Sequence, residues 1–282
     1  MEHKRLRSLL KQPSSLLYLS IIGFYLLITL LASFGIIAQD YSTTNLNNSY
    51  LPPSKENWFG TDFLGRDVYA RVIHGTKIAL IVGFFAATLS TLIGLILGSL
   101  AGYFGKKIDD LIVWLYSTFE SIPYILLISA FAFTLGQGLI NLFIALGITG
   151  WVRTCRLTRA EFLKHKNMEY VSAAQALGST HIGRIFHILP NVLHLALIQF
   201  SLSFVYAIKS EVILSYLGLG VEPGTPSWGA MINDAKVELT RGVWWNLTAA
   251  TAFMFFLILS VNLLTDSIRK HLDPKSSGHI SL

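Results

Sequence analysis

The sequence predicts an all-α polytopic membrane protein: six transmembrane helices, with a polar helical interlude set apart from them. Three observations carry that prediction. Of the 282 residues, 52% are apolar and only 13% are charged, against about 25% charged in an ordinary soluble domain. Mean hydropathy is +0.55 and the pI is near 9.4. The apolar residues also gather in runs close to the roughly 20 residues with which a helix crosses the hydrocarbon core of a bilayer.

The runs are Leu16 to Ala38, Ile78 to Phe104, Leu111 to Leu135, Leu139 to Val152, Val192 to Leu217 and Val243 to Leu264. The first is longer than the roughly 7–15-residue core of a secretory signal, and no small-x-small cleavage site follows it, so it reads as an uncleaved span. On the second, Ser90, Gly94, Gly98 and Gly102 recur every four residues, a seam of small side chains that lets another helix approach. The third carries Glu120 three residues before Pro123. The fourth is short and is predicted to continue past Trp151 as one helix that leaves the membrane. The fifth carries Lys209 and Glu211 near its outer end, two apart and so on different faces. Charges inside spans mark either local structural pairs or the lining of a substrate route, and both readings stay open for Glu120, Lys209 and Glu211.

Lysine and arginine on the connections set the orientation, because cytoplasmic loops hold the excess. Fifteen of them (Lys4, Arg5, Arg7, Lys11, Lys106, Lys107, Arg153, Arg156, Arg159, Lys164, Lys166, Arg184, Arg269, Lys270, Lys275) fall on one side and six (Lys55, Arg66, Arg71, Lys77, Lys236, Arg241) on the other. Both termini and the Arg153 to Pro190 interlude are therefore expected in the cytoplasm. The net charge of +6 reports topology and contact with anionic lipid; no RNA-binding or helix-turn-helix signature accompanies it, so no nucleic-acid partner is expected. The outer segments, Gln39 to His74 and Tyr216 to Gly242, are rich in Pro, Gly, Trp and Asp. Within them Gly60, Thr61, Asp62, Gly65, Arg66 and Asp67 predict a tight, internally bonded turn, and Trp228, Trp244 and Trp245 fit interfacial anchors.

The interlude predicts two short helices. Asn167 is a suitable N-cap, Glu169 puts a negative charge in the first turn, and Gly178 is a natural stop. Tyr170, Ala173, Ala174 and Leu177 then fall at i, i+3, i+4 and i+7, one narrow apolar face kept flat by its two alanines. Ile182, Ile185, Phe186 and Leu189 repeat the spacing before Pro190. Helices that lie on lipid usually set Lys or Arg opposite large apolar residues. The Glu169 to Gly178 segment has no Lys or Arg and two small alanines on its apolar face, which suits a protein partner better.

These residues resemble the cytoplasmic loop of permease subunits of bacterial binding-protein-dependent ABC importers, which carries a Glu-Ala-Ala, three residues, Gly pattern closed by Ile-Leu-Pro. Ala173, Ala174, Gly178, Ile188, Leu189 and Pro190 match; Ser172 stands where that family has Glu, and the Gly178 to Pro190 interval is one residue shorter than its usual spacing. Three further stretches are similar to the dipeptide/oligopeptide/nickel group: Asn57 to Gly83, with Gly-Thr-Asp-Phe-Leu-Gly-Arg-Asp; Leu214 to Ile232, with Leu-Gly-Leu-Gly and Pro-Ser-Trp-Gly; and Asn262 to Lys275, with Leu-Asp-Pro. The resemblance implies a type I ABC importer transmembrane fold. Residues 1–76 would hold a cytoplasmic tail, the first span and a periplasmic segment; 77–268 the five-helix permease domain with a coupling loop at about 153–190; and 269–282 a cytoplasmic tail.

The same resemblance implies that the chain forms half of a path for peptides or similar small solutes in the bacterial inner membrane. Glu169, Tyr170, Ser172, Ala173, Ala174, Leu177, Gly178 and Pro190 would make the ATPase-coupling element. Implied partners are a second homologous permease, one or two cytoplasmic ATPase subunits and a periplasmic or extracellular solute-binding protein, with ATP and Mg held by the ATPases. Independently of any resemblance, the chain has no Gly-x-x-x-x-Gly-Lys-Ser/Thr phosphate loop and no Gly-x-Ser-x-Gly elbow. Its one cysteine, Cys155, forms no internal disulfide, and His181, His187 and His194 are not spaced as metal ligands on one helical turn. Neither a catalytic residue nor a metal or cofactor in this chain is expected. The rival from another class is an ATP-independent six-span secondary transporter or channel, which would show matching broken helices in two halves; no internal repeat is evident.

Overall fold

The computed structural model describes residues 12–272; Lys4, Arg5, Arg7, Lys11 and Lys275, and the tail from Asp273 onward, lie outside the described residues. The described chain is helical: α1 (Pro13–Ser33), a short 3-10 turn (Leu46–Asn48), α2 (Val68–Phe104), α3 (Lys106–Glu120), α4 (Tyr124–Leu135), α5 (Leu139–Gly150), α6 (Val152–His165), α7 (Glu169–Ala176), α8 (His181–Tyr216), α9 (Trp228–Leu239) and α10 (Trp245–Leu272). The β-type pairing among these residues is one isolated bridge, Thr61 to Asp67. The all-α class is as expected.

Among the described residues four helices are each long and apolar enough to cross a membrane: α1, α2, α8 and α10. The third expected span is not one straight helix, because α3 and α4 meet at a 91° bend. Proline disfavours helical backbone in the residue before it, so α3 stops ahead of Pro123, whose carbonyl then accepts from Leu127 N at 3.1 Å to start α4. The fourth expected span is the 12-residue α5, which is too short to count among the helices that could cross a membrane alone. Where the sequence predicts six spans, the described residues hold four, or five with the bent pair. Trp151 keeps helical angles (φ −69°, ψ −21°), and Cys155 N bonds Trp151 O at 3.0 Å, so α5 passes into α6 without leaving the helical path. A different outcome holds at Pro190, which was expected to end a short helix and instead sits inside α8. The lost N–H costs helix stability, but Ile188 and Val192 on either side are buried, and their packing holds the helix together.

The described residues form two compact units: those up to Gly83 with Ala132–Leu142 and those from Val205 onward, and Phe84–Phe131 with Phe143–Phe204. In the first, α1 lies on α10: the Tyr25 hydroxyl donates to Phe253 O at 2.8 Å, and the Ser15 and Ser267 hydroxyls meet at 2.9 Å. The loop before α2 is the tight turn the sequence predicts. Asp62 Oδ1 accepts from Leu64 N and Arg66 N, both at 2.9 Å, while its Oδ2 takes Arg66 Nε at 2.6 Å. Asp234 and Glu238 of α9 join this turn, at 3.2 Å from Arg66 Nη2 and 3.0 Å from Phe63 N respectively. Trp228 is not an interfacial anchor: it is fully buried and donates to Val72 O at 3.1 Å. Its ring meets α2 at Gly75, where no side chain stands in the way.

In the second unit the small-residue seam of α2 has a definite partner, α6. A Cβ placed on Gly94, Gly98 or Gly102 would come within 2.5 Å of Thr154 Cβ, Cys155 O or Phe162 Cβ. Bare backbone is what lets the helices approach so closely. Ala101, Ile112, Tyr116, Trp151, Val152 and Cys155 form the adjoining apolar core. Large apolar side chains such as Phe84, Phe85, Leu92 and Ile96 stay exposed on α2, a face that water would not tolerate and that hydrocarbon does.

Candidate functional site

The helix α7 is built from local signals and then mounted by tertiary ones. Its N-cap is Met168, with no side-chain cap, and not Asn167 as the sequence suggested. The chain is still turning at that point, since Met168 N bonds His165 O at 3.0 Å; Met168 is the first extended residue. Glu169 occupies the first turn, where the helix dipole favours a carboxylate. The stop is at Gly178, in the left-handed region at φ +81°, with Gly178 N on Gln175 O and Ser179 N on Ala174 O, both at 3.0 Å. A side-chain-bearing residue would be strained there.

One side of α7 is committed to its own chain. Val171 is 3% exposed and packs with Phe162 of α6 and Ile188 and Val192 of α8. Each such fully buried apolar side chain contributes about 1.5–3 kcal/mol. Polar contacts brace the same side: Tyr170 OH meets His165 Nδ1 at 3.0 Å and accepts from Asn191 Nδ2 at 3.2 Å. Arg184 Nη1 donates to Gln175 Oε1 at 2.8 Å.

The other side is open. Ser172 and Ala173 are exposed, Ala174 is half-buried, and Leu177, a large apolar side chain, is 89% exposed. Ile182 and Phe186 at the start of α8 are exposed beside them in sequence, while Pro190 lies further along α8, also exposed. The structure therefore brings together Glu169, Tyr170, Ser172, Ala173, Ala174, Leu177 and Gly178 in one short element and leaves Pro190 on the helix that carries it.

The three span charges do not converge. Glu120 ends α3, and its oxygens pair with Arg156 Nη1 of α6 at 2.9 and 3.1 Å. Glu211 is fully buried and accepts from Ser215 Oγ at 2.7 Å. Lys209 is exposed on a different face of α8 from Glu211. Sequence reasoning passed over two features. Val171 is the buried anchor, and the i, i+3, i+4 pattern pointed away from it. Asp109 of α3 receives Arg159 of α6 through Nε at 2.5 Å and Nη2 at 2.7 Å; the partners are 50 residues apart, and no spacing rule connects them. Among the described residues no group of three His, Cys, Asp or Glu could hold a metal ion.

Comparison with known proteins bears on what such an element serves. The family described as binding-protein-dependent transport system inner membrane component matches residues 94–278. The oligopeptide transport system permease protein OppC of Bacillus subtilis (strain 168) is 40% identical over 237 residues, 84% of this chain and 77% of that protein. The dipeptide transport system permease protein DppC of the same organism is 37% identical over 262 residues, 91% and 82% of the two chains. The glutathione transport system permease protein GsiD of Escherichia coli O6:K15:H31 (strain 536 / UPEC) is 36% identical over 235 residues, 83% and 76%. A match running from the glycine seam of α2 through α7 to the C-terminal tail, with relatives of this identity over most of both chains, means that the chain belongs to the inner-membrane permease components of binding-protein-dependent transport systems.

Proposed function

We propose that this permease forms half of the path of an ATP-driven importer for peptides or similar small solutes, and that α7 is its docking helix for a separate ATPase. The observation that carries this is the division of α7: Val171 ties one side into α6 and α8, while Ala173 and Leu177 stand free. An exposed Leu next to small residues on a short, firmly mounted helix suits an apolar groove on another protein. The peptide class is supported by the oligopeptide, dipeptide and glutathione names of the relatives. The chain contains no phosphate-binding loop, so ATP and Mg belong to the partner ATPases, of one or two kinds. A second, homologous permease completes the path, and a solute-binding protein delivers from outside. Both termini and α7 face the cytoplasm, in keeping with the lysine and arginine count. Glu120 and Glu211 are structural charges, held by Arg156 and Ser215; Lys209, exposed on α8, is the one suited to a polar path.

The docking reading is tested by co-purifying the ATPase subunits with Ala173→Arg and Leu177→Asp variants and measuring uptake of labelled di- and oligopeptides and glutathione. Normal membrane insertion with loss of both co-purification and uptake is expected. Unchanged uptake in both variants, or uptake with no ATPase expressed, refutes it.

A further inference from the structure

Within the second unit, α6 is gripped in two different ways. Against α2 the contact is the glycine seam, where Gly94, Gly98 and Gly102 meet backbone and Cβ atoms of α6. Such contacts are close van der Waals packing, which is not directional. Against α3 the grip is directional. The Arg159 guanidinium and the Asp109 carboxylate make two parallel bonds, the geometry in which this pair is strongest and most specific. Their side chains are 27% and 16% exposed, so solvent screens them only in part. The companion pair, Arg156 with Glu120, is 57% and 42% exposed, and an ion pair in that setting contributes about 0–1 kcal/mol. Of the two ion pairs Asp109–Arg159 is therefore the stronger, and it adds direction to the apolar packing of Ile112 and Tyr116 of α3 against Val152 and Cys155 of α6.

The two ends of this connection lead to different places. After His165, α6 gives way within three residues to α7, and Phe162 of α6 and Val171 of α7 share one buried cluster. α3, at its far end, runs into the 91° bend before α4, at Ser121 to Pro123. We propose that the Asp109–Arg159 pair makes α3 and α6 move as one piece, so that a displacement of α7 is delivered to that bend. This rests on the reading of α7 as the ATPase-docking helix. Arg159 and Asp109 are positioning residues in this scheme and touch no substrate. Lysine would keep the charge of Arg159 but lose the fork that fixes direction.

The test reads the bend itself, in the complete importer with its ATPases. Cys155, the single cysteine, is buried, so a Ser121→Cys substitution at an exposed position gives one labelling site. Its maleimide labelling rate is compared with and without ATP and vanadate. With the pair intact, nucleotide is expected to change the rate several-fold; Asp109→Arg or Arg159→Asp removes the change, and the double swap restores most of it. Asp109→Asn, which keeps the shape, and Arg159→Lys, which keeps the charge, should cut the response by roughly three- to tenfold, within the range of coupling between contacting residues. The ATPases stay bound in every one of these variants, unlike Ala173→Arg, so failure of the docking reading is separately visible. A nucleotide response unchanged by Asp109→Asn and Arg159→Lys overturns the proposal. So does the absence of any response with the pair intact, a swap that inserts but restores nothing, or release of the ATPases by the single variants.

Discussion

Glu238 is fully buried at a point where three segments of the first unit meet. It accepts from Phe63 N at 3.0 Å and Asn246 Nδ2 at 2.9 Å, which ties the loop before α2 to α9 and α10. Burial raises its carboxyl above the ordinary value of 4.5, against the pull of those two donors. Asp234 is likewise raised from 3.8, chiefly by burial and in spite of Arg71 and Arg66. A raised carboxyl holds its proton in the folded chain at a pH where the unfolded chain has released it. Between the ordinary and the raised value folding takes up protons, so the stability these groups contribute falls as pH rises through that window. The difference in unfolding midpoint between the purified protein and its Glu238→Gln variant should therefore shift in favour of the wild type as pH is lowered toward 4.5. The variant is expected to fold, because Asn246 Oδ1 has no partner and its amide can turn to accept from the new side chain. A difference that is flat in pH contradicts the assignment. None of this was legible in the sequence: Asp62, Gly65 and Arg66 announced a turn, but not that residues some 170 positions later would close it, with Arg66 and Asp234 separated by 168.

The glycine seam of α2 was visible as a four-residue repeat, and the repeat is a property of one helix. Which helix fills it is a matter of packing, and the answer, α6, turns the seam into the support of α7. Its worth can be read by two substitutions of the same kind. Gly23 of α1 has nothing within 4 Å of an added Cβ, so Gly23→Ala should gain part of the roughly 0.8–1 kcal/mol that separates Gly from Ala in a helix. Gly98→Ala receives the same gain but drives its Cβ to 2.5 Å from Cys155 O, and overpacking of that kind costs about 1–3 kcal/mol. Thermal midpoints in one detergent should move in opposite directions, upward for Gly23→Ala and downward for Gly98→Ala. Equal shifts would mean that α2 and α6 are not in contact. The same contrast explains the mixed outcome for α7. Its stop at Gly178 and its acidic first turn depend on neighbours a few residues away and could be read directly, whereas its start at Met168 and its anchor at Val171 depend on how the chain arrives from α6.

For the molecule as a whole, orientation is the property that lysine and arginine placement predicts most directly. Fifteen of these residues on one set of connections against six on the other predict α7 inside and the Gln39 to His74 segment outside. Because the native cysteine is buried, Leu177→Cys and Ser54→Cys, both at exposed positions, each report one side. An impermeant maleimide added to intact spheroplasts should label Ser54→Cys and reach Leu177→Cys only after the membrane is opened. The reverse pattern would overturn the orientation and with it the cytoplasmic docking role of α7.

By itself the sequence determined the solvent in which this chain folds, the number and approximate place of its apolar runs, and the residues that begin a turn or end a helix. Composition and near-neighbour backbone preference settle those, and both are written locally. The tertiary structure alone decided that the third run bends, that Trp228 is a core residue, that α6 fills the seam of α2, and that Asp109 holds Arg159. Each of those depends on a partner far away in the chain, chosen by shape and charge together, and no local rule records that choice.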